Sequence, residues 1–171
     1  MTLNPRLPNN ENPLQKHEAA SGTADGGAVM YLTESGTVAK VTTSGQAPFG
    51  ILFHNVKSSL AGLPAGYEFP GEIGSADMRL GDPVLVHFEG GIFETDHYRY
   101  LGSSGIPAGT LMYAHINNSD HDGKLVNDDG STVDVADDGD GSTAKAVALV
   151  LEGLSDDEAD AGKALTIKLL I

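Results

Sequence analysis

Short apolar runs separated by glycine-containing turns follow one another along most of the chain. The runs are rich in Val, Ile, Leu and aromatic residues, which favours strands over helices. They lie at 28–32, 37–42, 49–56, 83–88, 91–95, 110–116, 131–135, 145–151 and 164–171. Pairs such as Ser35-Gly36 and Asp122-Gly123 separate them and are typical turn formers. The pattern predicts an all-β (mostly β) fold, a small β-barrel or sandwich.

Two of these runs support more detailed predictions. The sequence EGGI at 89–92 joins two of the runs, which predicts a β-hairpin. In the last run, Leu165, Ile167 and Leu169 alternate with polar residues, which is the period of a half-buried strand. We therefore expect the C-terminus to lie inside a sheet.

The sequence leaves room for one short helix at most. Ser155 precedes three acidic residues, as an N-cap serine does, and Gly162 is placed to end the helix. Residues 57–80 contain several prolines and glycines and predict a long irregular excursion over the surface.

The first 26 residues are interpreted as an extended N-terminal arm, and residues 27–171 as a single β domain. Prolines at positions 5, 8 and 13 oppose helix formation and pairing at a sheet centre. We expect this segment to leave its own domain and to dock in a groove or along a sheet edge of another protein, a frayed terminus being the alternative. The expected partner-binding residues are Leu3, Pro5, Arg6, Leu7, Pro8 and Leu14.

Charge and composition narrow the classes of partner. Asp and Glu outnumber Lys and Arg 24 to 10, giving a net charge of −14. Such a surface repels phosphate backbones and anionic membranes, so neither nucleic acid nor membrane is an expected partner. The chain has no cysteine, which excludes disulfides, and its N-terminus has no hydrophobic signal core. We expect it to be made in the cytoplasm.

No arrangement of residues in the sequence is typical of an active site. The histidines lack metal-ligand spacing, and His54, His87 and His115 lie in strand runs, where hydrogen-bonded, half-buried histidines are common. Neither a G-x-S-x-G nucleophile elbow nor a phosphate-binding loop occurs. We therefore expect a protein that is not an enzyme, with no catalytic residues and no cofactor.

An acidic segment at 117–143 is the strongest chemical feature of the sequence. Clustered carboxylates suit calcium, and Asp137, Asp138 and Asp140 are the candidate ligands, but the spacing does not fit an EF-hand loop. The favoured interpretation is an exposed, charged loop insertion without metal. Shortening 119–141 is then expected to leave the folded domain intact.

The chain contains, in order, the segments GTVAKVTTSGQAPFGILF and LGDPVLVHFEGGIFETD and the closing strands AKAVALVL and KALTIKLLI. Over roughly 28–171, this order resembles the head-decoration, or cement, proteins of tailed bacteriophages. The acidic segment departs from the pattern of that group.

The resemblance implies a structural virion protein on the outer surface of a capsid, often a homotrimer. It would bind the major capsid protein and stabilise the shell across subunit seams. The alternative is a carbohydrate-binding or adhesion module assisted by calcium, although sugar platforms favour aromatic residues and the chain has no Trp. A small β-barrel enzyme has no support beyond scattered His and Asp.

Overall fold

Two curled sheets dominate the fold, each shaped as a half-barrel. The computed structural model describes residues 4–5, 14–18, 23–57, 78–79, 83–88, 90–141 and 143–171. Strands predominate in these ranges, and they contain one short helix. The prediction of a mostly β fold is confirmed.

The elements are named in chain order. The strands and the helix are β1 (Asn4–Pro5), β2 (Leu14–Glu18), β3 (Val29–Leu32), β4 (Val38–Lys40), β5 (Pro48–Leu52), β6 (Val56–Lys57), β7 (Met78–Arg79), β8 (Pro83–His87), β9 (Ile92–Thr95), β10 (Tyr98–Arg99), β11 (Leu111–Ala114), β12 (Leu125–Val126), β13 (Ala146–Glu152), α1 (Asp156–Asp160) and β14 (Leu165–Leu169).

The larger sheet has seven strands in the order β1-β9-β14-β13-β11-β12-β10, and the smaller has five in the order β2-β8-β5-β3-β4. Strands β6 and β7 form a separate parallel pair. Pairing in the two large sheets is antiparallel except between β10 and β12. The main core lies between the sheets, because Val29, Val41 and Ile51 from the smaller sheet side pack with Phe93 and Ile167 of the larger.

The C-terminal strand is confirmed as an internal strand. β14 pairs with β13 on one side and β9 on the other. Leu165, Ile167 and Leu169 are buried and Lys168 is exposed, as the alternation predicted, whereas Thr166, expected on the exposed face, is also buried. Removing apolar area from water on one face stabilises this strand in the sheet centre.

The predicted helix is present as α1. Glu158 at its third position accepts hydrogen bonds from the backbone N–H of Ser155 and from its hydroxyl, so the start of the helix is tied back on itself. Gly162 follows with a φ of +67°. Among the described residues, no helix has the length and apolar character needed to cross a membrane.

The predicted hairpin at 89–92 is wrong. β8 before it pairs with β2 and β5 of the smaller sheet, whereas β9 after it pairs with β1 and β14 of the larger. Gly90 and Gly91 have φ values of +77° and +90°. The glycines therefore form a turn, as predicted, but this turn connects a strand of the smaller sheet to a strand of the larger sheet.

The strand predicted at 131–135 is also wrong. Val135 makes an isolated bridge to His115, and the residues before it form a turn around Asp128. The Asp128 carboxylate accepts hydrogen bonds from the backbone N–H groups of Gly130 and Thr132. These local hydrogen bonds from the backbone to the Asp128 side chain take the place of the hydrogen bonds between strands that a β-strand would make. Most of the excursion predicted at 57–80 lies outside the described residues.

Parts of the N-terminal segment are edge strands of the chain's own sheets. β1 pairs with β9 at one edge of the larger sheet, and β2 pairs with β8 at one edge of the smaller. Ala24 is buried and exchanges backbone hydrogen bonds with Val56. The expectation that residues 1–26 leave their own domain is wrong at these positions, because an outermost strand tolerates proline where a central one does not.

Gly27 supports a stability prediction at the junction of the two sheets. Its φ is +95°, and a Cβ there would lie 2.6 Å from the His97 Cβ and 2.9 Å from the Thr95 Oγ1. We expect Gly27→Ala to cost about 2–5 kcal/mol in unfolding free energy, through backbone strain plus overpacking. Gly45→Ala, at φ +82° with nothing within 4 Å, should cost only about 1–2 kcal/mol. Urea denaturation would measure both, and equal losses would contradict the packing argument.

Candidate protein-binding surface

An apolar patch covers the outward side of the larger sheet. Across four neighbouring strands, Leu111 lies opposite Leu149, Leu149 opposite Lys168, and Lys168 opposite Ile92. Directly opposed residues point to the same side of a sheet. Their chain neighbours Met112, Ala148 and Ile167 are buried in the core, so this row points outward. We call Ile92, Leu111, Leu149, Lys168 and Leu170 the outer patch.

The outer patch is solvent-exposed apolar surface in the middle of a sheet. Leu111 is 42% exposed and Leu170 is 46% exposed, whereas Ile92 and Leu149 are half-buried. Leu151, at the bulge between β13 residues Val150 and Glu152, is also exposed. Grouped exposed leucines of this kind mark contact surfaces far more often than scattered ones do.

The charges on this side of the sheet are mixed. Lys168 lies in the leucine row, and the next row along the strands places Glu94 and Glu152 on either side of Thr166. The Thr166 hydroxyl donates to a Glu152 carboxylate oxygen at 3.0 Å. A partner therefore meets an apolar band with one cation in it and two carboxylates beside it.

The predicted partner-binding residues of the N-terminal segment are only partly placed by the structure. Pro5 is in β1 and Leu14 is in β2. Leu3, Arg6, Leu7 and Pro8 lie outside the described residues.

The outer patch was not predicted, although the sequence held a signal for it. The runs AVALVL and KLLI do not alternate, and a strand that is apolar on both faces is typical of one with a second surface to cover.

The acidic segment is built into the fold rather than added to it. β12 lies between β11 and β10 in the larger sheet, and its residues Leu125 and Val126 are fully buried. Ala136 is buried as well, and its N–H donates to the Ala114 carbonyl. The interpretation of 117–143 as an exposed insertion is wrong for these stretches, because Leu125 and Ala136 belong to the main core and Val126 is fully buried.

Asp137 has a structural partner set that uses both of its carboxylate oxygens. Its Oδ2 accepts hydrogen bonds from the Ser44 hydroxyl at 2.6 Å and the Gly45 N–H at 3.0 Å, and its Oδ1 accepts from the Gly139 N–H at 2.7 Å. The Ser44 hydrogen bond first, and then the backbone amides, lower the pKa of Asp137 to about 2 against the opposing effect of burial. Asp137 thus joins the acidic segment to the loop between β4 and β5.

The calcium candidates do not form a common ligand set. Asp138 and Asp140 are exposed, whereas Asp137 is buried against the 44–45 loop. Within the ranges that the structure describes, no group of three or more His, Cys, Asp or Glu side chains could hold a metal ion.

The histidines in strand runs serve packing and hydrogen bonding. His87 packs against Phe93, with ring centroids 4.7 Å apart, and His54 lies edge-on to Phe53. Burial lowers the pKa of both histidines. His115 is hydrogen-bonded to Arg99, as predicted, but it is buried, at 2% exposed, rather than half-buried.

No protein-family model matches the chain, and no curated protein matches it at a significant level.

Proposed function

We propose that the chain is a structural protein that binds the outside of an assembled phage capsid through the outer patch and stabilises the shell across its subunit seams. The proposal includes a non-enzymatic role, the major capsid protein as partner, a homotrimeric state and a location on the virion surface. The observation that carries it is the outer patch, an exposed apolar face on a mostly β domain.

The chemistry of the patch favours a protein as its occupant. A net charge of −14 opposes phosphate backbones and anionic lipid headgroups. Leu111, Leu149 and Leu170 offer apolar area rather than the aromatic platform that sugars prefer. Because the strand order and turn sequences resemble those of head-decoration proteins, we infer that the partner is a capsid shell.

Mass action gives such a protein a mechanical role. A ligand that binds only the assembled shell stabilises that state by RT ln(1 + [L]/Kd), so the stabilisation grows with ligand concentration and with affinity. Burying one half-exposed leucine contributes about 1 kcal/mol, so each copy binds weakly through the outer patch. Several linked copies bind together far more tightly than one, which is why a homotrimer suits the role. The unplaced residues Leu3, Arg6, Leu7 and Pro8 remain predicted additional contacts.

The test is binding to shells assembled from the major capsid protein of the phage that encodes the chain. We expect the wild-type chain to co-sediment with expanded shells, and Leu111→Glu combined with Leu170→Glu to lower its affinity roughly 100-fold, about tenfold per leucine. The reason is that each glutamate removes apolar contact and places a charge in a desolvated site.

Leu32→Glu is the matched control. Leu32 is 45% exposed, as much as the two patch leucines, but it lies in β3 of the smaller sheet. It should bind like the wild type. Equal binding by the patch variant and the control would contradict the use of the outer patch, and absence of wild-type binding to any shell would contradict the capsid role itself.

A further inference from the structure

A partly buried hydrogen bond between Arg99 and the buried His115 fixes the protonation state of the histidine. The Arg99 Nη1 lies 2.7 Å from the His115 Nε2, and His115 is only 2% exposed. A guanidinium has donors and no acceptor, so the Nε2 must accept. His115 is therefore neutral, with its proton on Nδ1. That Nδ1 is buried and has no hydrogen-bond acceptor among the described residues.

A second histidine lies against the first. The rings of His115 and His121 are 5.7 Å apart and nearly perpendicular, and the His121 Nδ1 is likewise buried without a hydrogen-bond partner in the described part of the chain. The charged groups that face the pair are two cations and three carboxylates from the surrounding strands and turns. They are Arg99, Lys124, Asp120, Asp122 and Asp134.

The turn at 117–123, which follows His115 and contains His121, joins the two sheets. The Gly123 carbonyl accepts a hydrogen bond from the Val29 N–H of the smaller sheet at 2.8 Å. The Asn117 N–H donates to the Thr42 carbonyl, just beyond β4, at 2.9 Å. The Gly123 N–H in turn donates to the His115 carbonyl at 2.9 Å. A single hydrogen bond therefore links His115, the partner of Arg99, to Gly123, which makes the contact between the sheets.

We propose that Arg99, His115 and His121 form an acid-sensitive latch, in which protonation of His115 releases the 117–123 turn from the smaller sheet. A protonated Nε2 can no longer accept from Arg99, and two cations then face each other at a hydrogen-bond distance in a partly buried site. His121, if protonated as well, adds a third positive charge beside them. The carboxylates of Asp122 and Asp134 oppose this repulsion only in part, because Lys124 is in the same group.

The latch is closed at neutral pH. Burial, and then the charge of Arg99, lower the pKa of His115, and burial lowers the pKa of His121 in the same way. A histidine whose pKa is lower in the closed state than in the open state favours the closed state fully above its ordinary pKa of about 6.5. That preference is lost as the pH falls from 6.5 towards the lowered pKa.

Nuclear magnetic resonance of the full chain tests the proposal directly. At pH 7 the imidazole nitrogen shifts of His115 should show the neutral form with the proton on Nδ1. Between pH 7 and pH 4.5 the amide-exchange protection of Val29 and Asn117 should fall at least about tenfold after correction for intrinsic rates. Protection of Val150 and Ile167, in the centre of the larger sheet, should hold over the same range.

Two variants separate the latch from general acid unfolding. His115→Gln keeps an acceptor for Arg99 but cannot titrate, so the pH-dependent loss at Val29 and Asn117 should disappear. His54→Gln removes a histidine outside the cluster and should leave the loss in place. A loss that persists in His115→Gln, or a wild-type His115 already protonated at pH 7, would overturn the proposal. If His115→Gln does not fold, the wild type still decides, because the His115 titration and the loss of protection must share one midpoint and different midpoints refute the latch.

Discussion

Replacing residues 119–141 by a tight Asn-Gly turn is expected to lower the melting temperature by about 10–20 °C or to prevent folding. The deletion removes β12, which separates β11 from β10 in the larger sheet. It also removes the fully buried Leu125 and Val126. Loss of two such side chains costs about 5 kcal/mol or more, and for a chain of this size each kcal/mol lowers the melting temperature by about 2–4 °C.

Calorimetry of the shortened chain measures this effect. The matched control neutralises charge in the same segment and keeps its backbone, by combining Asp120→Asn, Asp138→Asn and Asp140→Asn. These side chains are exposed, so the control should melt within about 2 °C of the wild type. A shortened chain that melts as the control does would restore the interpretation of the segment as a dispensable loop.

Asp137→Asn should be the most damaging single change among the acidic residues of this segment. The carboxylate accepts from one hydroxyl and two backbone amides, and an Asn side chain replaces one of its oxygens with a donor that faces donors. Hydrogen bonds to a charged group contribute about 1.5–3 kcal/mol each, so the variant should lose about 3 kcal/mol of unfolding free energy at pH 7. Ser44→Ala, which removes one donor to the charged carboxylate, should lose about 1.5–2 kcal/mol.

The pH dependence of that loss distinguishes the carboxylate from a mere change of packing. The pKa of Asp137 is about 2 in the folded chain, below its ordinary value of 3.8. Because the folded pKa is depressed, the stabilisation is complete above the ordinary value and is lost as the pH falls through the folded one. Denaturant unfolding at pH 7, 4 and 3 should therefore show a gap between wild type and Asp137→Asn that is unchanged from 7 to about 4.5 and narrows below it. A gap independent of pH would assign the loss to packing.

The sequence predicted correctly those elements that are decided by residues close to one another along the chain. The alternation of Leu165, Ile167 and Leu169 gave the buried face of β14, and the Ser155 cap with Glu158 gave the start of α1. In both cases the residues that decide the structure lie within a few positions of one another.

Partner choice between strands was not readable from the sequence. The glycines at 90–91 indicated a turn, but a turn does not specify that its two strands enter different sheets. Leu125 and Val126 are two apolar residues in a polar segment, and they form a strand only because β10 and β11 pair with them on either side. The same holds for β1 and β2, which are strands only because β8 and β9 offer them an edge.

The outer patch shows why the candidate site was missed. Ile92, Leu111, Leu149 and Leu170 come from four separate parts of the sequence and meet only through the register of β9, β14, β13 and β11. The N-terminal residues were favoured instead because leucine and proline lie close together there in the sequence. Only the unbroken apolar runs of β13 and the C-terminus pointed to a second face.

An electron cryomicroscopy reconstruction of expanded shells mixed with the full chain tests the central claim most directly. The predicted result is density for the β domain on the outer surface of the shell, across a seam between capsid subunits. Leu111, Leu149 and Leu170 should then lie within van der Waals distance of the capsid protein. Shells that carry no such density, or a bound domain whose outer patch faces solvent, would contradict it.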